Sequence, residues 1–207
     1  LYSSAASDVY KRQGGDIAEY PSFRFHPDSL ARFHEHDVWG GLDAVLRCPV
    51  PVVAAIEGNC MGAGVEIASC CDLRVAGVSA RFGAPIARLG FPMAPREAHL
   101  VASALGMATA CEMLLEAAVL DAQELKQRGF LNRVVPAPEV QGEAAATAGR
   151  VASLAPQAAR LNKQTLRALA NGPDNLQALV AQAYQYAPHA EHREGIGSFL
   201  AKRKPVF

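Results

Sequence analysis

The amino-acid sequence predicts an α/β fold with a helical C-terminal region. Strand-like and helical patterns alternate as far as residue 136, and nearly everything after Pro138 has helical periodicity. The run PVPVVAAIEG, residues 49–58, is apolar without polar alternation until its end, which is typical of a strand buried on both faces. Strands that alternate with helices, followed by helices alone, indicate one α/β core with a helical extension.

The remaining elements follow from local patterns of glycine, proline and apolar residues. Asp121 is a candidate N-cap for the helix AQELKQRG, and Gly106 separates two amphipathic helices. Breaks in the helical tail are expected at Pro156, Gly172-Pro173 and Pro188. In chain order the other predicted elements are a helix at 38–46, the strand within 49–58, a short buried helix in VEIASCCD, a strand in LRVAG, mostly loop at 80–95, helices in REAHLVASAL and MATACEMLLEAAV, and a strand in LNRVVP.

Length, charge and cysteine content limit the possible functions. The 207 residues can form one sizeable core. Lysine plus arginine and aspartate plus glutamate are equal at 20 each, so no long-range field gathers nucleic acid or anionic lipid. Charged or glycine-rich breaks interrupt every apolar run before the roughly 18 residues that a membrane span requires. The five cysteines lack the spacing of a small secreted scaffold, which favours a reducing, cytoplasmic location.

The first segment, LYSSAASDVYKRQ, differs from the rest of the chain. It is small and polar, has no periodicity, and lacks the apolar region of a secretory signal. We interpret residues 1–13 as non-native sequence, 14–136 as an α/β core that is incomplete at its N-terminus, and 137–207 as the C-terminal helical region. This sequence is therefore expected to lack the natural N-terminus.

The segment IEGNCMGAGVEIASCCDLRV allows three interpretations. A zinc site is disfavoured because Cys60, Cys70 and Cys71 do not form a close C-x-x-C pair, and adjacent cysteines on a helix point in different directions. A phosphate-binding loop would need a lysine after Gly64, and none follows. A buried strand that runs into a glycine turn and a helix places free N–H groups at the strand's C-terminal end, where they can hold a developing oxyanion.

The stretch PVPVVAAIEGNCMGAGVEIASCCDLRVAGVSARFGAP resembles the signature region of the crotonase superfamily, the enoyl-CoA hydratase/isomerase family. The resemblance continues through MLLEAAVLDAQELKQRGFLNRVVP and EGIGSFLAKRKPVF, so it covers nearly everything after residue 13. Several segments in the right order are more specific than one glycine motif. The resemblance implies a crotonase-like (ClpP/crotonase) spiral core, an acyl-CoA thioester as substrate, no separate cofactor, and a homotrimer or homohexamer.

The resemblance also implies roles for individual residues. The backbone N–H groups of Gly15 and Ala63 would form an oxyanion hole, for which alanine is acceptable if its φ is negative. Glu66 would be a catalytic carboxylate, and its apolar neighbours Val65 and Ile67 favour this over an exposed helix acid. Gly15 can also be a linker glycine, and the glycine turn can be purely structural. The positions that match substrate or coenzyme A contacts are Gly14, Asp16, Gly62, Gly64, Ile86, Phe199 and Lys202.

Ile86 is the main departure from the family pattern. It stands where the family's hydratases have a second glutamate, and isoleucine cannot transfer a proton. The following loop, GFPMAPREAHL, also departs, and its ionisable candidates for a replacement role are Arg96, Glu97 and His99. The preferred interpretation of each is an ordinary helix-start residue, and the helix dipole favours Glu97 in a first turn.

The function implied by the resemblance is enoyl-CoA hydration. The alternatives are another reaction of the family, namely isomerisation, decarboxylation or hydrolysis, and a weakly catalytic protein that binds acyl-CoA. A metal site is not predicted, because His34 and His36 are spaced i, i+2 and do not share a helix face. Their segment is expected to be a solvated or pocket-lining helix.

Overall fold

The computed structural model describes residues 17–170, residue 177 and residues 179–207. These residues form two compact units. The first contains the described residues up to Cys48 together with Val52–Ala145, and the second contains Pro49–Pro51 and the described residues from Ala146 onward. The break predicted at Gly172-Pro173 and the site residues Gly14, Gly15 and Asp16 lie outside the described residues.

Two three-stranded sheets form the centre of the first unit. The first sheet has the order β1-β3-β6 and is parallel throughout. The second has the order β2-β4-β5, with β2 parallel and β5 antiparallel to β4. The strands are β1 (Val53–Ile56), β2 (Asn59–Met61), β3 (Leu73–Gly77), β4 (Arg81–Gly83), β5 (Val119–Asp121) and β6 (Arg133–Val135).

The first four strands alternate between the two sheets. Only Glu57 and Gly58 separate β1 from β2, yet the two strands pair in different sheets, and β3 and β4 repeat this arrangement. Gly58 permits the sharp change of direction because its φ is 65°, in the left-handed region. Each of these two strand pairs is followed by at least one helix, so this part of the chain advances as a spiral of strand, strand and helix.

Helices surround the two sheets and also form the second unit. A 3₁₀ turn at Ile17–Ser22 and a π-helical turn at Phe33–Val38 flank the first helix. Further 3₁₀ turns lie at Pro85–Leu89 and Ala137–Glu139. The α-helices are α1 (Pro27–Arg32), α2 (Trp39–Leu46), α3 (Ala63–Cys70), α4 (Pro95–Leu105), α5 (Met107–Leu115), α6 (Ala122–Gln127), α7 (Val140–Ala152), α8 (Pro156–Ala170) and α9 (Ala190–Leu200).

Two predicted helix boundaries, at Gly106 and Asp121, are confirmed. Gly106, with φ 83°, separates α4 from α5. Asp121 caps α6 in a capping box: its carboxylate accepts from the Glu124 N–H at 2.8 Å, and the Glu124 side chain accepts from the Asp121 N–H at 3.2 Å. The segment 80–95 is less irregular than expected, since it contains β4 and the Pro85–Leu89 turn.

The hydrophobic core of the first unit fixes the helices that carry the candidate site. Phe82 and Phe130 are fully buried and meet edge to face, with ring centroids 6.1 Å apart. A separate cluster contains Leu42 of α2, Cys70 of α3 and Leu100 of α4. This second cluster holds the three helices together in the first unit.

The regular secondary structure in the described part of the second unit is helical. Glu191 pairs with a backbone N–H at the start of α8, because its Oε2 accepts a hydrogen bond from the Gln157 N–H at 2.7 Å. Lys163 is buried, and its Nζ donates to the carbonyl oxygen of Val50 at 2.9 Å. Among the described helices, none combines the length and apolar character needed to cross a bilayer.

Candidate functional site

The turn between β2 and α3 requires glycine at position 62. Gly62 has φ 53° and ψ −119°, a conformation that residues with a Cβ rarely adopt. Its N–H donates to the Gly83 carbonyl at 2.9 Å, which ties the turn to the end of β4. Its carbonyl accepts from the N–H groups of Val65 at 2.9 Å and Glu66 at 3.3 Å. Both the N–H and the carbonyl of Gly62 are therefore hydrogen-bonded within the protein.

The N–H groups of Ala63 and Gly64 follow this turn, at the N-terminus of α3. Ala63 is the first helical residue and does not have a positive φ, so its side chain introduces no backbone strain. Within the described residues, no acceptor is hydrogen-bonded to the N–H of Ala63 or Gly64. These groups lie where the helix dipole favours negative charge. The other predicted oxyanion donor, Gly15, lies outside the described residues.

Glu66 is in the first turn of α3, three positions after Ala63. Its side chain is partly buried, so the alternative of an exposed helix acid does not fit. Burial, and secondarily the nearby carboxylate of Glu97, raise the pKa of Glu66 to about 7. A carboxyl group with this pKa can donate or accept a proton near neutral pH.

The surroundings of Glu66 differ in one respect from those predicted from the sequence. Val65 is fully buried, as expected, but Ile67 is 48% exposed and does not contribute to an apolar environment. The expectation for Ile67 is wrong because successive helical residues point about 100° apart.

Glu97 is a second buried carboxylate, at the start of α4. It is 2% exposed, and its Oε1 lies 3.1 Å from Nδ1 of His34. Its Oε2 is buried and has no hydrogen-bond partner among the described residues. Glu97 lies in the first turn of α4, as the interpretation as a helix-start residue requires, but it is buried rather than exposed to solvent. Arg96 and His99, the other two candidates, are exposed.

The sequence contained a signal for the burial of Glu97. Counting forward from Glu97, Leu100 is at i+3, Val101 at i+4 and Leu105 at i+8, and all four residues are buried. This is the spacing of one helix face. A carboxylate in line with the apolar stripe could have been recognised as an inward-facing acid.

His34 reaches Glu97 from the π-helical turn Phe33–Val38. Its side chain is 19% exposed, whereas Glu35 and His36 are exposed. The two histidines thus face different environments, as their i, i+2 spacing predicts. The insertion of a π-turn is a common feature of functional sites.

Ile86 lies in the 3₁₀ turn after β4 and is partly buried. It follows Gly83, whose carbonyl accepts from the Gly62 N–H, by three positions. An apolar side chain therefore lies in the turn after β4, at the position where the family pattern has a carboxylate.

The cysteines in and after the glycine turn are part of the core. Cys60, Cys70 and Cys71 are buried, and Cys71 Sγ donates to the Ile67 carbonyl at 3.3 Å. Burial raises the pKa of the Cys60 thiol to about 12, so this group is neutral at physiological pH. No three histidine, cysteine or acidic side chains gather as a possible metal site in the part of the chain that the structure describes.

Phe199 and Lys202 are in the second unit, at the end of α9 and just after it. Phe199 is 82% exposed. Lys202 is exposed, and its φ of 52° is the left-handed conformation common after a helix end. Arg203 fixes the following segment by a bidentate ion pair with Glu194, at 2.6 and 2.7 Å. The contact of Phe199 and Lys202 with coenzyme A stays a prediction.

Comparison with known proteins identifies the family. The model of the enoyl-CoA hydratase/isomerase family matches residues 12–207. A probable enoyl-CoA hydratase of Mycobacterium bovis is 31% identical over 196 residues, which cover 94% of this chain and 74% of the relative. The 2,3-dehydroadipyl-CoA hydratase of Escherichia coli is 36% identical over 175 residues, which cover 82% of this chain and 66% of the relative.

Solved structures agree with the sequence comparison. The crystal structure of an enoyl-CoA hydratase/carnithine racemase from Magnetospirillum magneticum has a TM-score of 0.86 at 36% identity, and the match covers 94% of this chain and 72% of that one. The predicted crotonase-like spiral fold is thereby confirmed. The spiral of two sheets, the glycine turn before α3 and these matches together show that the chain belongs to the enoyl-CoA hydratase/isomerase family of the crotonase superfamily.

Proposed function

We propose that the protein hydrates an enoyl-CoA thioester, with Glu66 as an acid/base group and an oxyanion hole that includes the Ala63 N–H. One observation carries the proposal: a partly buried carboxyl with a pKa of about 7 follows, within one helical turn, an N–H that has no acceptor in the described residues. The hydratase names of the relatives support the choice of reaction.

The proposed reaction begins with the thioester carbonyl oxygen, which accepts from the Ala63 N–H and from the Gly15 N–H. These two donors withdraw electron density from the conjugated double bond, so the β-carbon becomes electrophilic. Water forms a C–O bond to the β-carbon, and the π electrons move to give an enolate whose negative charge lies on the thioester oxygen. A proton from water is accepted by the protein, and one proton is delivered to the α-carbon.

Donors that are already in place stabilise the enolate more than the neutral thioester, and this difference lowers the barrier. Removal of one such donor typically reduces kcat by about 10²–10³-fold. The Gly62 turn holds the Ala63 N–H without reorganisation, since its own N–H and carbonyl are both hydrogen-bonded.

Ile86 favours a second candidate function. Hydration needs one group that accepts a proton from water and one that delivers a proton to carbon, and Ile86 can do neither. A double-bond isomerisation can proceed with a single carboxyl that removes a proton from one carbon and returns it to another. A weakly catalytic protein that binds acyl-CoA is the remaining alternative.

The test is incubation of the purified protein with crotonyl-CoA, followed by chromatographic identification of the product. Hydration gives 3-hydroxybutyryl-CoA, whereas isomerisation is detected with a 3-enoyl-CoA that becomes conjugated. We expect the hydroxy product. Conversion of the 3-enoyl thioester without any hydration of crotonyl-CoA would replace the proposed function by isomerisation.

A further inference from the structure

We propose that Glu97, hydrogen-bonded to His34, is the second proton-transferring group of the site and takes the role that Ile86 cannot fill. This inference rests on the hydration function proposed above. It names Glu97 as a catalytic residue and His34 as a positioning residue.

The first support is the state of the Glu97 carboxylate. The side chain is 2% exposed and bonded through Oε1 to His34, while Oε2 is buried and has no partner in the described residues. A buried polar oxygen without a partner is unfavourable for stability, and such groups in folded proteins call for an explanation. A water molecule or a substrate group that donates a hydrogen bond to Oε2 would supply the missing partner.

The second support is the position of Glu97 relative to Glu66. Both residues occupy the first turn of a helix, α4 and α3 respectively, and the two helices share the cluster of Leu42, Cys70 and Leu100. The Glu97 carboxylate is close enough to raise the pKa of Glu66 further than burial alone does. Two carboxyls with different surroundings are the arrangement that separates an acid from a base.

The charged groups around the pair are few in the described residues. His34 faces Glu97 from the π-helical turn, and Glu66 faces it from α3. The adjacent Arg96 is instead directed to Glu35, at 3.0 Å, in an exposed ion pair. The guanidinium of Arg96 therefore does not neutralise the Glu97 carboxylate.

These contacts assign the two roles. The Nδ1–H of His34 donates to Oε1 of Glu97, which leaves Oε2 to accept a proton from water. As the water oxygen bonds to the β-carbon, protonated Glu66 delivers its proton to the α-carbon. Afterwards Glu97 carries one proton and Glu66 is ionised. Exchange with solvent restores the starting state, so one water has been added overall.

The decisive variant is Glu97→Gln, measured with crotonyl-CoA for kcat and KM across pH. We expect kcat to fall by about 10²–10⁴-fold with KM changed only a few-fold. The matched control is Glu35→Gln, which removes an exposed carboxylate next to His34 and should keep wild-type kcat. A titration over the same pH range, followed by the infrared absorption of the carboxyl groups, should show that Glu66 ionises at lower pH in Glu97→Gln. The reason is that the nearby negative charge is gone.

His34 is tested by a pair of substitutions. His34→Leu removes the donor to Oε1, and we expect a partial loss of kcat and a shifted pH profile. His34→Asn can restore a donor at a similar place and should recover part of the loss, which a merely structural role would not predict.

Should Glu97→Gln fail to fold, Glu97→Asp keeps the charge but moves it back by one methylene. We then expect a lower kcat for Glu97→Asp, and wild-type kcat would overturn the assignment.

The outcomes separate the two proposals. If the wild type hydrates crotonyl-CoA and Glu97→Gln does so equally well, the assignment of Glu97 is overturned and the hydratase function stands. If the wild type does not hydrate crotonyl-CoA but hydrolyses its thioester bond, and Glu97→Gln loses this hydrolysis, the hydratase function fails and Glu97 is supported as the group that accepts a proton from water. A wild type that does neither contradicts both.

Discussion

Nδ1 of His34 lies 3.1 Å from Oε1 of Glu97, although the two residues are 63 positions apart in the chain. The contact joins the π-helical turn before α2 to the first turn of α4. Because a buried carboxylate is stable only when it is paired or hydrogen-bonded, this contact contributes to holding the two segments together. It also holds the Glu97 carboxylate beside Glu66, and this carboxylate helps to raise the pKa of Glu66.

The raised pKa of Glu66 predicts a pH-dependent stability. The carboxyl has a pKa of about 7 in the folded protein against 4.5 for an ordinary glutamate, so between these values the folded state holds more protons than the unfolded state. The contribution of Glu66 to the free energy of unfolding is therefore fully present below pH 4.5 and is lost as the pH rises through 7. Glu66→Gln should lack this loss.

Urea unfolding of the wild type and Glu66→Gln at pH 5 and pH 8 tests this prediction. The free energy of unfolding should fall more for the wild type than for the variant between the two pH values. An equal fall in both proteins would show that Glu66 has an ordinary pKa.

Gly62→Ala should impair both stability and catalysis. The φ of 53° and ψ of −119° are strained for any residue with a Cβ, and we expect a loss of about 1–3 kcal/mol in the free energy of unfolding. The Ala63 N–H would move with the turn, so kcat should also fall. Gly142→Ala is the control, since an added Cβ meets nothing within 4 Å and lies on helix α7.

The control should be neutral or slightly stabilising, because alanine favours helix by about 0.5–1 kcal/mol over glycine. Thermal unfolding monitored by circular dichroism and steady-state kinetics give the two readouts. A Gly62→Ala protein with wild-type stability and kcat would mean that the turn does not constrain the oxyanion donor.

The sequence contained most of the fold and part of the site. The capping box at Asp121 and the break at Gly106 were predictable because each depends on local backbone chemistry. The short strands β2 and β4 were not, since three-residue strands are stabilised by pairing with distant segments rather than by propensity. The contact between His34 and Glu97 depends on packing across 63 positions, so local patterns could at most indicate that Glu97 faces inward.

Ile86→Glu should restore activity to a protein that lacks Glu97. In the Glu97→Gln background we expect kcat to rise at least tenfold, because a carboxyl returns at the family position on the turn after β4. The same change should lower stability, since Ile86 is partly buried and a carboxylate there is desolvated. The matched comparison is Ile86→Gln, which has similar size but no acid. Equal kcat for both double variants would contradict the prediction.

The homotrimer or homohexamer predicted from the resemblance remains to be tested. Large apolar side chains are exposed on the second unit, and burial against another copy would remove them from water. On α8 and α9 they are Leu161, Leu166, Leu169, Ile196, Phe199 and Leu200. We expect multi-angle light scattering to give the mass of three or six chains. A monodisperse monomer would refute this assembly.

The most direct test of the account is the turnover of crotonyl-CoA by Glu66→Gln. Glutamine keeps the shape and hydrogen-bonding capacity of Glu66 but cannot transfer a proton, so kcat should fall by about 10²–10⁴-fold while the fold is retained. Glu116→Gln, at an exposed position after α5, is the control and should keep wild-type turnover. A folded Glu66→Gln protein that hydrates crotonyl-CoA at the wild-type rate would contradict the central claim that Glu66 transfers a proton in this reaction.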